Sequence, residues 1–82
     1  MISKGTFLGV LPFAREFEFR ETSTDSITQG KLSKNISSNY VQKMVGTLVT
    51  IVMKRDAFDG RLILQEIITD ETTVTAEQKQ GE

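Results

Sequence analysis

The chain has 82 residues, of which 38% are hydrophobic and 26% charged, so its size and composition predict one small globular domain. It contains no cysteine and no histidine, which excludes disulfide bonds, thiolate metal sites and the usual general base near neutral pH. The sequence shows no cluster of lysines, tyrosine or paired carboxylates suited to catalysis, and no phosphate-binding glycine loop. We therefore expect a protein that is not an enzyme and that uses no cofactor or metal.

The net charge of −1 conceals a separation of charge along the chain. Residues 26–55 contain five cations and no acid, whereas residues 56–82 contain seven acids and two cations. A basic segment followed by an acidic one is typical of chains that bind polyanions. Mutual neutralisation of the two segments explains the same pattern, and the sequence leaves both interpretations open.

The N-terminal residues do not predict export. Lys4 precedes an apolar run that extends to Ala14, but Gly9 and Pro12 interrupt the run and no small-residue cleavage motif follows it. Because cysteine is also absent, we expect a cytoplasmic protein that makes no contact with a membrane.

The first quarter of the chain predicts two strands. Residues 5–10 form the first, which ends near Pro12 because proline cannot donate a ladder hydrogen bond. In residues 13–21 three phenylalanines share one face of an alternating pattern, which predicts a second strand with one buried side. They are Phe13, Phe17 and Phe19. We expect them to lie in the core, and an exposed platform for stacking bases is the alternative.

The middle of the chain is polar. Residues 22–39 are rich in serine, threonine and asparagine, which predicts a loop or a loosely attached hairpin. We expect its isolated apolar residues, Ile27, Leu32 and Ile36, to contact the body of the domain.

Residues 38–45 fit two structures. A short helix would begin at Ser38 or Asn39 as its cap and present an apolar face. A strand would continue into the next apolar run, with Gly46 at a bulge or bend. The β-branched residues favour the strand and the central Gln-Lys-Met run favours the helix, so both stay open.

Residues 46–70 predict a β-hairpin around which the domain is built. Two runs of Val, Ile, Leu and Thr flank a turn at Asp59 and Gly60, where Gly60 is expected to adopt a positive φ. Alternation predicts two faces for each strand. On the first strand Thr47, Val49, Ile51 and Met53 lie opposite Leu48, Thr50 and Val52; on the second, Leu62, Leu64 and Ile68 lie opposite Ile63 and Ile67. Because both strands are apolar on both faces over part of their length, we expect them to be covered on both sides or by a partner.

These elements predict a mainly-β fold. We expect a single small domain, built as a bent antiparallel sheet or open barrel of four to five strands with one short helix at 38–45 as an option. The β-rich domain covers residues 1–70, and residues 71–82 form a polar acidic tail that is expected to be mobile.

The leading functional hypothesis is single-stranded nucleic-acid binding through residues 26–55. Cations neutralise phosphates, and a tyrosine stacks on a base. The predicted binding residues are Lys31, Lys34, Tyr40, Lys43, Lys54 and Arg55. The alternative is a protein-interaction or assembly subunit that uses the apolar hairpin as its interface with a protein partner. With either function we expect a homo-oligomer such as a homodimer, because a small β domain buries more apolar area by pairing with a second copy.

Overall fold

The computed structural model describes residues 1–69 and 73–75. Within them the chain forms β1 (Ile2–Leu11), β2 (Glu16–Glu21), β3 (Ile27–Leu32), α1 (Ser38–Met44), β4 (Leu48–Arg55), β5 (Leu62–Ile68) and β6 (Thr73–Thr75). The predicted mainly-β class is confirmed, as is the short helix that the sequence left open.

Five strands close into a barrel. They are ordered β3-β2-β1-β4-β5, and a short parallel pairing of β3 with β5 closes the ring through Lys31 with Ile63 and Leu32 with Leu64. The other neighbours in this ring pair antiparallel. The sheet is therefore mixed, and this β3–β5 seam is a long-range feature that no local pattern in the sequence signals.

Gly30 permits the closure of the barrel. A Cβ atom at this position would lie 2.5 Å from the carbonyl oxygen of Leu62 and 3.0 Å from Cε1 of Phe17. The first of these neighbours is backbone of β5 and the second is a ring packed in the core, so neither moves aside cheaply. Glycine in the middle of β3 is thus what lets this strand approach β5.

The barrel interior is filled by aromatic and aliphatic side chains. Phe7 packs edge-to-face on Phe17 and Phe19, with ring centroids 5.9 Å and 5.3 Å apart. On β4, three residues of one predicted face, Val49, Ile51 and Met53, are buried, whereas Leu48 of the other face is 53% exposed. The buried residues are Phe7, Phe17, Phe19, Leu32, Ile36, Val41, Val49, Ile51, Met53, Leu64 and Ile67.

Phe13 is not a core residue, contrary to the prediction. It lies in the loop of residues 12–15 between β1 and β2, and its side chain is fully exposed. The predicted second strand starts too early, because Arg15 adopts a left-handed backbone with φ of 55° that ends the extended alternation before Glu16.

The hairpin of β4 and β5 is confirmed, and Gly60 has the expected positive φ of 73°. The predicted faces of β5 are wrong in one respect, because Leu64 and Ile67 are both fully buried. The pairing of β4 with β5 shifts by one residue, which leaves Gln65 as a bulge. An inserted residue reverses the alternation, so residues on either side of it face the same core.

The helix begins at Ser38, and its N-cap is Ser37, one residue before the first of the two predicted caps, Ser38 and Asn39. The hydroxyl of Ser37 accepts hydrogen bonds from the backbone N–H groups of Asn39 and Tyr40 at 3.1 and 3.3 Å. Val41 points into the core and is fully buried. The helix therefore closes part of the barrel instead of extending β4.

Strands form in two segments for which no regular strand was predicted: residues 22–39, predicted as a loop or a loosely attached hairpin, and the polar tail of residues 71–82. β3 forms within the polar run of residues 22–39, where Leu32 and Ile36 are buried as expected but Ile27 is 55% exposed. β6 pairs antiparallel with β5 inside the stretch assigned to the acidic tail. The rest of that predicted tail lies outside the described residues.

Candidate nucleic-acid interface

A cleft of about 430 Å³ lies across the β3–β5 seam. It is lined by the β1–β2 loop, the end of β3, the chain that follows β3, and the facing parts of β4 and β5. Its cations are Arg15, Lys31, Lys34 and Lys54. Among the described residues that line it none is acidic, and we call it the basic cleft.

The strand pairing places two of the lysines side by side. Lys31 on β3 and Lys54 on β4 both pair with Ile63 of β5, from opposite sides of that strand. Neighbouring strands are about 4.8 Å apart, so the two side chains leave the barrel surface about 10 Å from each other. Residues separated by 23 positions in the sequence thus contribute to one surface.

Arg15 joins the two loops that border the basic cleft. Its Nη2 atom donates hydrogen bonds to the carbonyl oxygens of Ser33 at 2.6 Å and Ile36 at 2.8 Å, and its own carbonyl accepts from the N–H of Leu32 at 2.9 Å. A left-handed backbone costs a non-glycine residue about 1–2 kcal/mol, which these bonds offset. The chain that carries Lys34 is thereby held against the β1–β2 loop.

The cations of residues 26–55 are not neutralised by the described acids. The described part of the chain contains two ion pairs, Arg20 with Asp25 at 3.5 Å and Arg61 with Glu16 at 2.9 Å. None of the five cations takes part in either. Internal neutralisation is therefore not seen within residues 1–69 and 73–75.

The aspartates next to the basic segment form hydrogen bonds within the β4–β5 turn and no ion pair with the basic segment. Asp56 Oδ1 accepts from the N–H of Phe58 at 2.7 Å, and Asp59 Oδ1 accepts from the N–H of Arg61 at 3.0 Å. The side chain of Arg61 then binds Glu16 at the start of β2. This turn holds Phe58 with its ring 98% exposed.

Three of the six predicted binding residues lie outside the basic cleft. Tyr40 is half-buried against the core, and Lys43 is exposed in the last turn of α1. Arg55 donates from Nη1 to the carbonyl oxygen of Gly60 at 2.6 Å and so braces the turn. The structure brings together Lys31, Lys34 and Lys54 alone.

Arg15 and Gln65 of the basic cleft were not among the predicted binding residues, and Phe13 was expected in the core, with an exposed stacking platform only as the alternative. Phe13 contributes an exposed ring at the border of the cleft, and Gln65 contributes an amide from the bulge of β5. The available signal for Phe13 was Arg15, which breaks the apolar alternation on the proposed strand. No local signal marks Gln65, because bulges depend on cross-strand register.

A second cavity, of about 270 Å³, lies over the outer face of β1, β2 and β3. It contains Gly9, the two carboxylates of Glu16 and Glu18, and Arg61, which pairs with Glu16; we call it the Gly9 pocket. Gln29 Nε2 donates to Glu18 Oε2 at 2.8 Å. Carboxylates repel phosphate, so a nucleic-acid backbone is better received by the basic cleft.

No protein-family model matches the sequence, and no curated protein or solved structure is significantly similar to it. The architecture is a five-stranded mixed barrel with a short helix between β3 and β4. A shared architecture hosts unrelated functions, so the functional argument depends on the side chains.

Within residues 1–69 and 73–75, no three side chains of the His, Cys, Asp or Glu type come together as metal ligands. Nor does this part contain a helix of the length and apolar character needed to cross a bilayer.

Proposed function

We propose that the chain is a non-enzymatic binder of single-stranded nucleic acid and that the basic cleft receives the sugar-phosphate backbone. The observation that carries this proposal is the convergence of Lys31, Lys34 and Lys54 on one cleft without an acid among its described lining residues. Lysines neutralise phosphates and release counterions, which supplies affinity without requiring a particular sequence.

Phe13 supports a single-stranded ligand. Its ring is fully exposed beside the lysines, where an apolar group gains nothing from the protein itself. Unpaired bases stack on such rings, each contributing about 1–3 kcal/mol, whereas bases in a duplex are already stacked on one another. The amide of Gln65 adds a donor for phosphate or sugar oxygens.

The surface lacks the shape needed to recognise bases in double-stranded nucleic acid. Major-groove recognition needs a projecting helix or two-stranded ribbon. The one helix among the described residues is seven residues long and packs Val41 into the core. The ligand is therefore expected to be an extended strand lying across the β3–β5 seam.

The experiment is a fluorescence-anisotropy titration of labelled oligothymidine and oligouridine at low and moderate salt. Three lysine contacts predict a slope of about −2 for log affinity against log salt concentration, because each contact on a single strand contributes about −0.7. Absence of binding at low salt to both oligonucleotides contradicts the proposal.

A matched pair of double variants locates the site. Lys31→Glu with Lys34→Glu is expected to abolish oligonucleotide binding. Lys4→Glu with Lys43→Glu makes the same charge change outside the basic cleft and is expected to weaken oligonucleotide binding far less. Circular dichroism checks that both remain folded. Equal losses in the two would mean that net charge, not the basic cleft, governs binding.

The second candidate function is homo-oligomeric assembly through the outer face of β1 and β4. Ile2 is 71% exposed and Leu48 is 53% exposed, and no described element covers them. Burying such side chains against a second copy is favourable. Sedimentation equilibrium of the wild type and Leu48→Lys tests this, since a monomer at high concentration for both removes the candidate.

A further inference from the structure

The Gly9 pocket contains a glycine that the fold does not require. A Cβ atom at Gly9 would meet no other atom within 4 Å, and its φ lies outside the left-handed region. Glycine inside a strand costs about 0.5–1 kcal/mol relative to alanine. The position follows the β1 bulge, yet its backbone accepts a side chain, so what glycine contributes here is open space in the pocket.

The polar side chains of the pocket are two carboxylates, Glu16 and Glu18, and the two donors that bind them, Arg61 and Gln29. Glu18 is exposed, and one of its oxygens is occupied by Gln29 while the other has no partner among the described residues. Glu16 is held by Arg61 at 2.9 Å, so its charge is already compensated. Leu11, 60% exposed, adds an apolar wall next to these groups. A flat ligand with N–H donors on one edge matches this combination.

The pocket adjoins the basic cleft. Glu16 in the pocket and Lys31 in the basic cleft are directly paired across β2 and β3, and the Cβ atoms of such a pair are about 5 Å apart. A strand whose phosphate rests on Lys31 can therefore place a neighbouring base over Glu16 into the pocket.

We propose that the Gly9 pocket is a base-reading subsite that prefers guanine. This inference rests on the proposed function. Guanine presents its N1–H and N2–H groups side by side, which suits the Glu18 carboxylate: its unpartnered oxygen accepts one of them, and Oε2, which accepts from Gln29, keeps a second lone pair for the other. Thymine and uracil place two carbonyl oxygens beside their single N–H, and a carboxylate repels them.

The test compares short oligothymidines that differ at one central base. Replacing the central thymine by guanine is expected to raise affinity about tenfold at fixed salt, the scale of one bidentate contact. Central adenine and cytosine are expected to give smaller gains, because each offers one amino group. Equal affinity for the thymine and guanine forms contradicts the inference.

Two variants test the pocket, one through its volume and the other through its hydrogen-bond acceptor. Gly9→Val fills the open space, and Glu18→Gln replaces a carboxylate acceptor by an amide. Both are expected to remove the guanine preference while retaining the salt-dependent binding of oligothymidine. Glu66→Gln, on β5 outside the pocket, is the matched control and is expected to keep the preference.

The outcomes separate this inference from the proposed function. Salt-dependent binding without a guanine preference leaves the basic cleft supported and overturns the pocket. A preference that survives both Gly9→Val and Glu18→Gln also overturns it. If no oligonucleotide binds at all, both the proposed function and this inference are wrong.

Discussion

The guanidinium group of Arg15 donates a 2.6 Å hydrogen bond to the carbonyl oxygen of Ser33, joining the loop before β2 to the chain that leaves β3. The same nitrogen reaches the carbonyl oxygen of Ile36 at 2.8 Å. Two loops that border the basic cleft thus depend on one side chain, whose own backbone is held in a left-handed conformation. Arg15 is a positioning residue for Lys34.

Arg15→Ala is expected to lower the free energy of unfolding by about 1–3 kcal/mol, because two backbone carbonyls lose a charged donor. Urea denaturation measures this. Arg20→Ala is the control, since Arg20 pairs with Asp25 at the exposed surface, where an ion pair contributes about 0–1 kcal/mol. Equal effects of the two substitutions would contradict the positioning role.

Two glycine substitutions in the same barrel are expected to act in opposite directions. Gly30→Ala places a Cβ atom 2.5 Å from the carbonyl oxygen of Leu62 and is expected to destabilise the fold by about 2 kcal/mol or more. Gly9→Ala meets no atom within 4 Å and is expected to stabilise by about 0.5–1 kcal/mol. Thermal unfolding compares them directly. A neutral Gly30→Ala would mean that the seam does not need close approach of β3 to β5.

The parts of the fold that the sequence predicts are those with a local cause. Alternation of Val49, Ile51 and Met53 marks the inward face of β4, and the residues of the turn mark the positive φ at Gly60. The bulge at Gln65 and the parallel seam have no such cause, since both arise from how distant strands pair.

For the candidate site, too, the sequence predicts which residue types take part but not which of them meet in space. An acid-free basic segment points to Lys31 and Lys54, but their convergence depends on β5 lying between their strands. Tyr40 fits the composition of a binding segment, yet helical periodicity turns it towards the core. Phe13 was assigned to the core because a short alternating run does not distinguish a strand from the loop before it.

Phe13→Ala is expected to weaken oligonucleotide binding by about 1–3 kcal/mol while leaving stability unchanged, because the ring is fully exposed and stacks only on a ligand. Anisotropy titration measures the first effect and urea denaturation the second. Phe58→Ala removes an equally exposed ring that does not line the basic cleft, and is expected to have less effect. A larger loss from Phe58→Ala would move the stacking position to the β4–β5 turn.

Removal of residues 76–82 is expected to strengthen oligonucleotide binding at low salt. β6 pairs antiparallel with β5, and its last residue, Thr75, lies opposite Glu66, the neighbour of Gln65 in the basic cleft. The removed segment carries Glu77 and Glu82 against Lys79, and acids near the basic cleft compete with phosphate.

The comparison uses the full chain, the shortened chain and a full-length variant with Glu77→Gln and Glu82→Gln. If charge is the cause, the shortened chain and the double variant gain affinity together, and the gain disappears as salt rises and screens the interaction. A gain that appears only on shortening and persists at high salt would show that the segment blocks the basic cleft by its bulk. Unchanged affinity in both would show that residues 76–82 do not compete for the basic cleft.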